Sequence, residues 1–181
     1  MYCLLPRRKR PSHTPFLSLL TGDVAARRTL LKGALPTELG LLSNIEYFLV
    51  GNMELEGPLD GVFSQWPKVK DIRLNDNKLT GSIPPTMDQD NPLLEFLDLE
   101  DNRLTGEVPP TLGNLVNLEA LNLGSNMLEG FLPSSLANLG SLGTWGLRLV
   151  IFSARFRLTL FNFSSQKLSI YTTILLMVRF P

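Results

Sequence analysis

Cysteine and histidine are almost missing from this 181-residue chain: Cys3 and His13 are the single instance of each. One cysteine cannot close an internal disulfide. The pair cannot assemble a zinc site, and a Ser-His-acid or Cys-His nucleophile would have no partner in the rest of the chain. No GxxxxGK[ST] or GxGxxG stretch occurs, so no loop is built to cradle a nucleotide phosphate. Long apolar runs are missing too. Ile170 to Val178 gives nine residues between Lys167 and Arg179, where a membrane-spanning helix needs about twenty. Bases are scarce in the centre: residues 33–143 hold sixteen acids against five bases, a net of −11. The flanks reverse the sign, at +6 over residues 1–32 and +5 over residues 144–181, so the whole chain is neutral. A negative centre disfavours nucleic acid. Its carboxylates lack the fixed loop spacing of a calcium site. No enzyme, cofactor or metal is expected from this inventory.

What the chain has instead is a repeat. Leu31-Lys-Gly33-Ala-Leu35-Pro36 is followed by Leu55-Glu-Gly57-Pro-Leu59-Asp60 and Leu79-Thr-Gly81-Ser-Ile83-Pro84, then by Leu104-Thr-Gly106-Glu-Val108-Pro109 and Leu128-Glu-Gly130-Phe-Leu132-Pro133. Between the first leucines the steps are 24, 24, 25 and 24 residues. A fixed period of that length marks a stacked solenoid, whose units bury their apolar edges against one another. An ordinary leucine-rich α/β domain would match so many positions over four periods only by coincidence.

A second pattern confirms the register. It reads Leu94-Glu-Phe-Leu97-Asp-Leu99-Glu-Asp-Asn102 in one unit and Leu115, Leu118, Leu121, Leu123 and Asn126 in the next, with Trp66, Val69, Ile72, Leu74 and Asn77 before them. The central LxL alternates with period two, as a short strand does when one face is buried. Such strands gain stability by stacking into a parallel sheet at about 4.8 Å spacing. The asparagine carries both a donor and an acceptor, and can serve the dry backbone groups of the turn that follows. Gly permits a backbone conformation that a Cβ resists, and Pro favours an extended return path. An apolar residue three places after the proline site (Leu39, Phe63, Met87, Leu112, Leu136) closes the opposite side.

These motifs resemble the plant-type leucine-rich repeat, LxxLxxLxLxxNxLxGxIPxxLGxL, over roughly Leu31 to Leu147. The resemblance implies a right-handed α/β leucine-rich-repeat solenoid of about five coils. Short parallel strands would line its concave face, with loops and 3-10 turns on its convex face. Three departures stand out. Met53 occupies an asparagine position with Asn52 one place early, which predicts weaker order in the first coil. Asp60 replaces a proline, and one extra residue within Asp88-Gln-Asp-Asn-Pro92 predicts a small bulge on the convex side. Extracellular members commonly cap their ends with cysteine pairs. Their absence here reads as a truncated array or an intracellular protein.

The domain limits follow from the pattern. Residues 1–29 read as a basic leader, disordered or a truncated repeat, with residues 30–147 as the repeat domain and 148–181 as a non-repeat tail. Arg7-Arg-Lys-Arg10 before Phe16-Leu-Ser-Leu-Leu20 is too short in its apolar part for a good signal peptide. As a nuclear-import run it competes with plain solvation. Leu30 and Leu31 look like the second half of a repeat whose first half is missing, so the array is expected to begin mid-unit. A further unit starts at Leu139, Leu142, Trp145 and Leu147, then fails at Val150, where asparagine belongs. Beyond it the tail reads either as a degenerate cap or as out-of-frame sequence. The abrupt change of composition favours the latter.

By resemblance, the side chains between and just after the strand leucines face solvent and contact partners. They are Tyr47 and Leu49 in the first strand; Asp71, Arg73, Asn75 and Asp76 in the second; Phe96, Asp98, Glu100 and Asp101 in the third; and Asn122 and Ser125 in the fourth. Tyr47 and Phe96 are expected to be exposed aromatics, a type enriched where partners bind. Asp71, Asp76, Asp98, Glu100 and Asp101 form an acidic strip suited to a basic peptide or protein. The competing reading is a solvated face that only keeps the sheet soluble. The function expected is therefore non-catalytic protein or peptide binding, as in receptor-like ectodomains of the cell surface. The alternatives are a truncated product without independent function and a repeat protein of the enzyme-inhibitor type.

Overall fold

The computed structural model describes residues 24–25, 31–139, 148–150 and 156–157, with side chains over 31–139. The basic run, the leader's apolar stretch and most of the tail lie outside the described residues. In chain order the strands are β1 (Val24–Ala25), β2 (Lys32–Ala34), β3 (Tyr47–Leu49), β4 (Glu54–Pro58), β5 (Asp71–Arg73) and β6 (Lys78–Thr80). After the short helix α1 (Met87–Asp90) come β7 (Phe96–Asp98), β8 (Thr105–Gly106), β9 (Ala120–Asn122), β10 (Met127–Leu128), β11 (Gly130–Phe131), β12 (Arg148–Val150) and β13 (Phe156–Arg157). Strands β1, β3, β5, β7, β9 and β12 make one six-stranded parallel sheet in that order. Coils one to four are numbered here by β3, β5, β7 and β9.

The leucine pattern explains this sheet. Phe48, Ile72, Leu97 and Leu121 pair in neighbouring strands and are at most 1% exposed. Val50, Leu74, Leu99 and Leu123 form a second inward row, equally buried. On the far side the chain returns through 3-10 helices at Thr37–Leu41, Pro110–Asn114 and Ser134–Asn138. The predicted closing residues Leu39, Phe63, Met87, Leu112 and Leu136 are all buried. The five repeat glycines have φ between 77° and 90°, a region that side chains resist. Smaller parallel sheets β2-β4-β6 and β8-β10 follow the main one along the coils.

Asparagine holds the coils together where the strands end. The Asn102 side chain accepts from the Leu79 N–H of the coil before and donates to three carbonyls, those of Leu74, Leu99 and Glu100. Asn77 and Asn126 repeat the arrangement toward Leu55 and Leu104. The first coil has no such rung, since Met53 packs partly buried against the core instead. Trp66 fills the second coil, its rings 5.0 Å from Phe48 and 5.5 Å from Phe63. Its Nε1–H donates to the Leu39 carbonyl at 2.7 Å.

Three expectations need correction. The extra residue of the third unit does not loop outward. The turn widens to a helical one, with the Asn91 N–H reaching the Met87 carbonyl at 2.9 Å, and Asn91 swings into the core slot held elsewhere by Leu42, Trp66 and Leu115. It is fully buried, donating to the Phe63 carbonyl at 3.0 Å. Secondly, the sheet has a strand where the sequence pattern points to a missing half-repeat. Val24 pairs with Phe48, one period away, but the Ala25-Ala26 that follows hides the strand signature. Finally, Leu149 pairs with Leu121, four residues later than the spacing that put Trp145 there.

Candidate functional site

Alternation along each strand sends every second side chain to the open face of the six-stranded sheet. Two columns result. Tyr47, Asp71, Phe96 and Ala120 make the first, and Leu49, Arg73, Asp98 and Asn122 the second. Tyr47 is 38% exposed, while Leu49, Phe96, Asp98 and Asn122 are half-buried.

Arg73 organises the centre of this face. Its guanidinium donates to both oxygens of Asp71, Nε at 3.0 and 3.2 Å and Nη2 at 2.9 Å. It also lies 5.9 Å above the Phe96 ring, a cation–π distance. Two readings of the acidic, aromatic face change as a result. Asp71 is only 7% exposed and fully engaged, so it leaves the acidic strip. Phe96 is a half-covered platform beneath a guanidinium, not an exposed aromatic. The bond to Asp71 raises the Arg73 pKa further. The signal in the sequence was the Asp-Ile-Arg triplet, since opposite charges two apart share one face of a strand.

The remaining acids gather where the strands end. Burial pushes the Asp98 carboxyl above its ordinary value; the Glu100 N–H opposes this shift, nearby Glu100 and Asp76 charges add to it, and Arg73 lowers it. Glu100 accepts from the Asn122 amide at 2.8 Å, and Asp76 from the Asn75 amide at 2.6 Å. Asp76, Asp101 and Ser125 are exposed, together with Asn52. All four have left-handed backbone, with φ from 49° to 58°. Asn and Asp tolerate that region better than most residues. Backbone geometry therefore accounts for much of their residue type, and the structure places them together at the turn before each ladder position. No helix among the described residues is long and apolar enough to cross a membrane.

Residues 93–115 and 117–139 each match the family model described as Leucine Rich Repeat. The chain is similar to the BIR2 ectodomain from Arabidopsis thaliana, with 31% identity, 56% of this chain and 51% of that one covered, and a TM-score of 0.52. It is also similar to a chain of the Arabidopsis thaliana BIR3–SERK2 complex, at 32% identity over 67% of this chain and 68% of that one, with a TM-score of 0.56. A third likeness is to a chain in the structure of the Arabidopsis receptor kinase HAESA with the peptide hormone IDA and the co-receptor SERK1. There the identity is 30%, the coverage 71% and 22%, and the TM-score 0.63. The chain thus spans about half the length of the BIR2 ectodomain. No curated protein sequence matches it.

Proposed function

Because this chain belongs to the leucine-rich-repeat family, we propose that it is a non-catalytic module binding a basic peptide or protein segment on the open face of its six-stranded sheet. The observation that carries this reading is the division of that face. Tyr47, Leu49 and the Arg73-capped Phe96 offer apolar and cation–π surface, while Asp76, Asp98, Glu100 and Asp101 gather at the strand ends. A ligand would lay an apolar side chain on the first group and a lysine or arginine among the second. The peptide hormone held in the HAESA structure supports extending this mode of use to the present chain. Asp98 is the carboxylate with most to gain, because burial has already stripped part of its water and a cation would replace it.

The test uses the full chain and a labelled oligoarginine peptide, followed by fluorescence anisotropy. Binding should weaken by about tenfold between ~20 mM and ~200 mM salt, and Asp98→Lys with Glu100→Lys should weaken it about as much at low salt. Unchanged affinity in the double variant discards the acidic strip as a ligand site.

A further inference from the structure

We propose a second interaction surface, at the edge where the strands of coils three and four begin: it docks a protein segment presenting an aliphatic side chain flanked by lysine or arginine. This edge is a row of turn tips, Ser43 and Asn44, Pro67 and Lys68, Pro92 and Leu93, Val116 and Asn117, one pair per coil. The first two tips are joined, the Lys68 ammonium donating to the Asn44 side-chain oxygen at 2.8 Å. The last two carry the large aliphatic side chains. Leu93 is 44% exposed and Val116 63%, with Pro92 exposed between them. Asn117 donates to the Pro92 carbonyl at 3.2 Å, which fastens these tips into one patch.

The charges beside the tips change in the same direction. At the strand starts of coils one and two, Lys70 pairs with Glu46 at 3.1 Å. In coils three and four the corresponding residues are both acidic, Glu95 and Glu119. The Glu119 N–H donates to the Glu95 carbonyl at 2.7 Å, so the two carboxylates rise from adjacent strands, where like charges are unfavourable. Among the described residues no ion pair reaches Glu119. The imbalance is regional: residues 79–139 contain nine acids and one base, Arg103, whereas residues 31–78 contain seven and five. Single exposed aliphatics need no explanation. An apolar patch on the two coils whose strand starts carry Glu95 and Glu119, with Lys70 near Glu95 alone, is matched by one chemistry, a basic segment with an aliphatic anchor. Its small size fits a transient contact.

This surface is separate from the open face, and its test separates the two. The full chain, uniformly labelled with nitrogen-15, is titrated with a short peptide of alternating leucine and lysine. The amides of Leu93, Glu95, Val116 and Glu119 should move. A peptide with serine for leucine should bind about tenfold more weakly, as should the variant Leu93→Ser with Val116→Ser. Asp98→Lys with Glu100→Lys should leave the response at Leu93 and Val116 within about twofold. The proposal is overturned if no amide at this edge moves, if the shifts fall only on residues 98–101, or if the serine variant binds as the native chain does. Should that variant melt early, the shift map of the unaltered chain decides the matter.

Discussion

Replacing Asn102 by alanine deletes one acceptor and three donated bonds, yet the cost depends on which partners are left stranded. The Leu74 carbonyl still receives the Asn77 amide, the Leu99 carbonyl the Asn126 amide, and the Glu100 carbonyl the Asp76 N–H. The orphan is the buried Leu79 N–H. One orphaned donor plus the loss of three shared bonds costs about 2–3 kcal/mol. Asn77→Ala strands the Leu55 N–H and also removes the one ladder amide on the Val50 carbonyl, because Met53 supplies none. It should cost about 1 kcal/mol more than Asn102→Ala. Urea unfolding of the full chain, followed by circular dichroism, measures both against Gln89→Ala, an exposed control expected within about 0.5 kcal/mol of the native chain. If Asn102→Ala is no worse than the control, or Asn77→Ala is the milder of the two, the account of the ladder as shared backbone satisfaction is wrong.

Three other outcomes follow from the open face and the coil contacts. Asp98→Asn should stabilise the protein at pH 7. The native carboxyl has a raised folded-state pKa, so its ionised form costs stability above that pKa and the cost fades as pH falls toward 3.8. A melting-temperature difference that does not shrink with falling pH contradicts this. Arg73→Ala should destabilise by about 1–2 kcal/mol, since it leaves the buried Asp71 carboxylate unpartnered and uncovers Phe96; a melting temperature equal to the native one rules it out. Gly113→Ala should cost about 1–3 kcal/mol, because a Cβ there meets the Ser135 backbone of the next coil. A denaturation midpoint unmoved by that change would mean that the 3-10 helices of neighbouring coils are not in tight contact.

Most of the scaffold could be read from the chain because each contact that builds it repeats locally. In coils two to four the LxL pairs bury as their spacing required, as do Asn77, Asn102 and the closing apolar residues, while Asn126 is half-buried. The open face was less legible. Spacing places Asp71, Arg73 and Phe96 on the same side of the sheet, but does not say that the guanidinium turns back over its own strand and across to the next. Nor does it reveal that Asp76, Asp101 and Ser125 sit at left-handed turns, where backbone preference competes with any binding role in choosing the residue. The burial of Asn91 escapes the repeat pattern for a related reason. A polar residue beside an insertion reads as loop, whereas a helical turn absorbs the added length and the amide finds a carbonyl in the preceding coil.

Periodicity alone was enough to specify a stacked coil, since any unit of about 24 residues with this leucine pattern can shed its apolar edge only onto a copy of itself. Which charges remain available, which ring is covered, and where the pairing slips by four residues at Leu149 depended on side chains and backbone meeting across coils. Those contacts join positions far apart along the chain, and their geometry exists only after the coils have stacked.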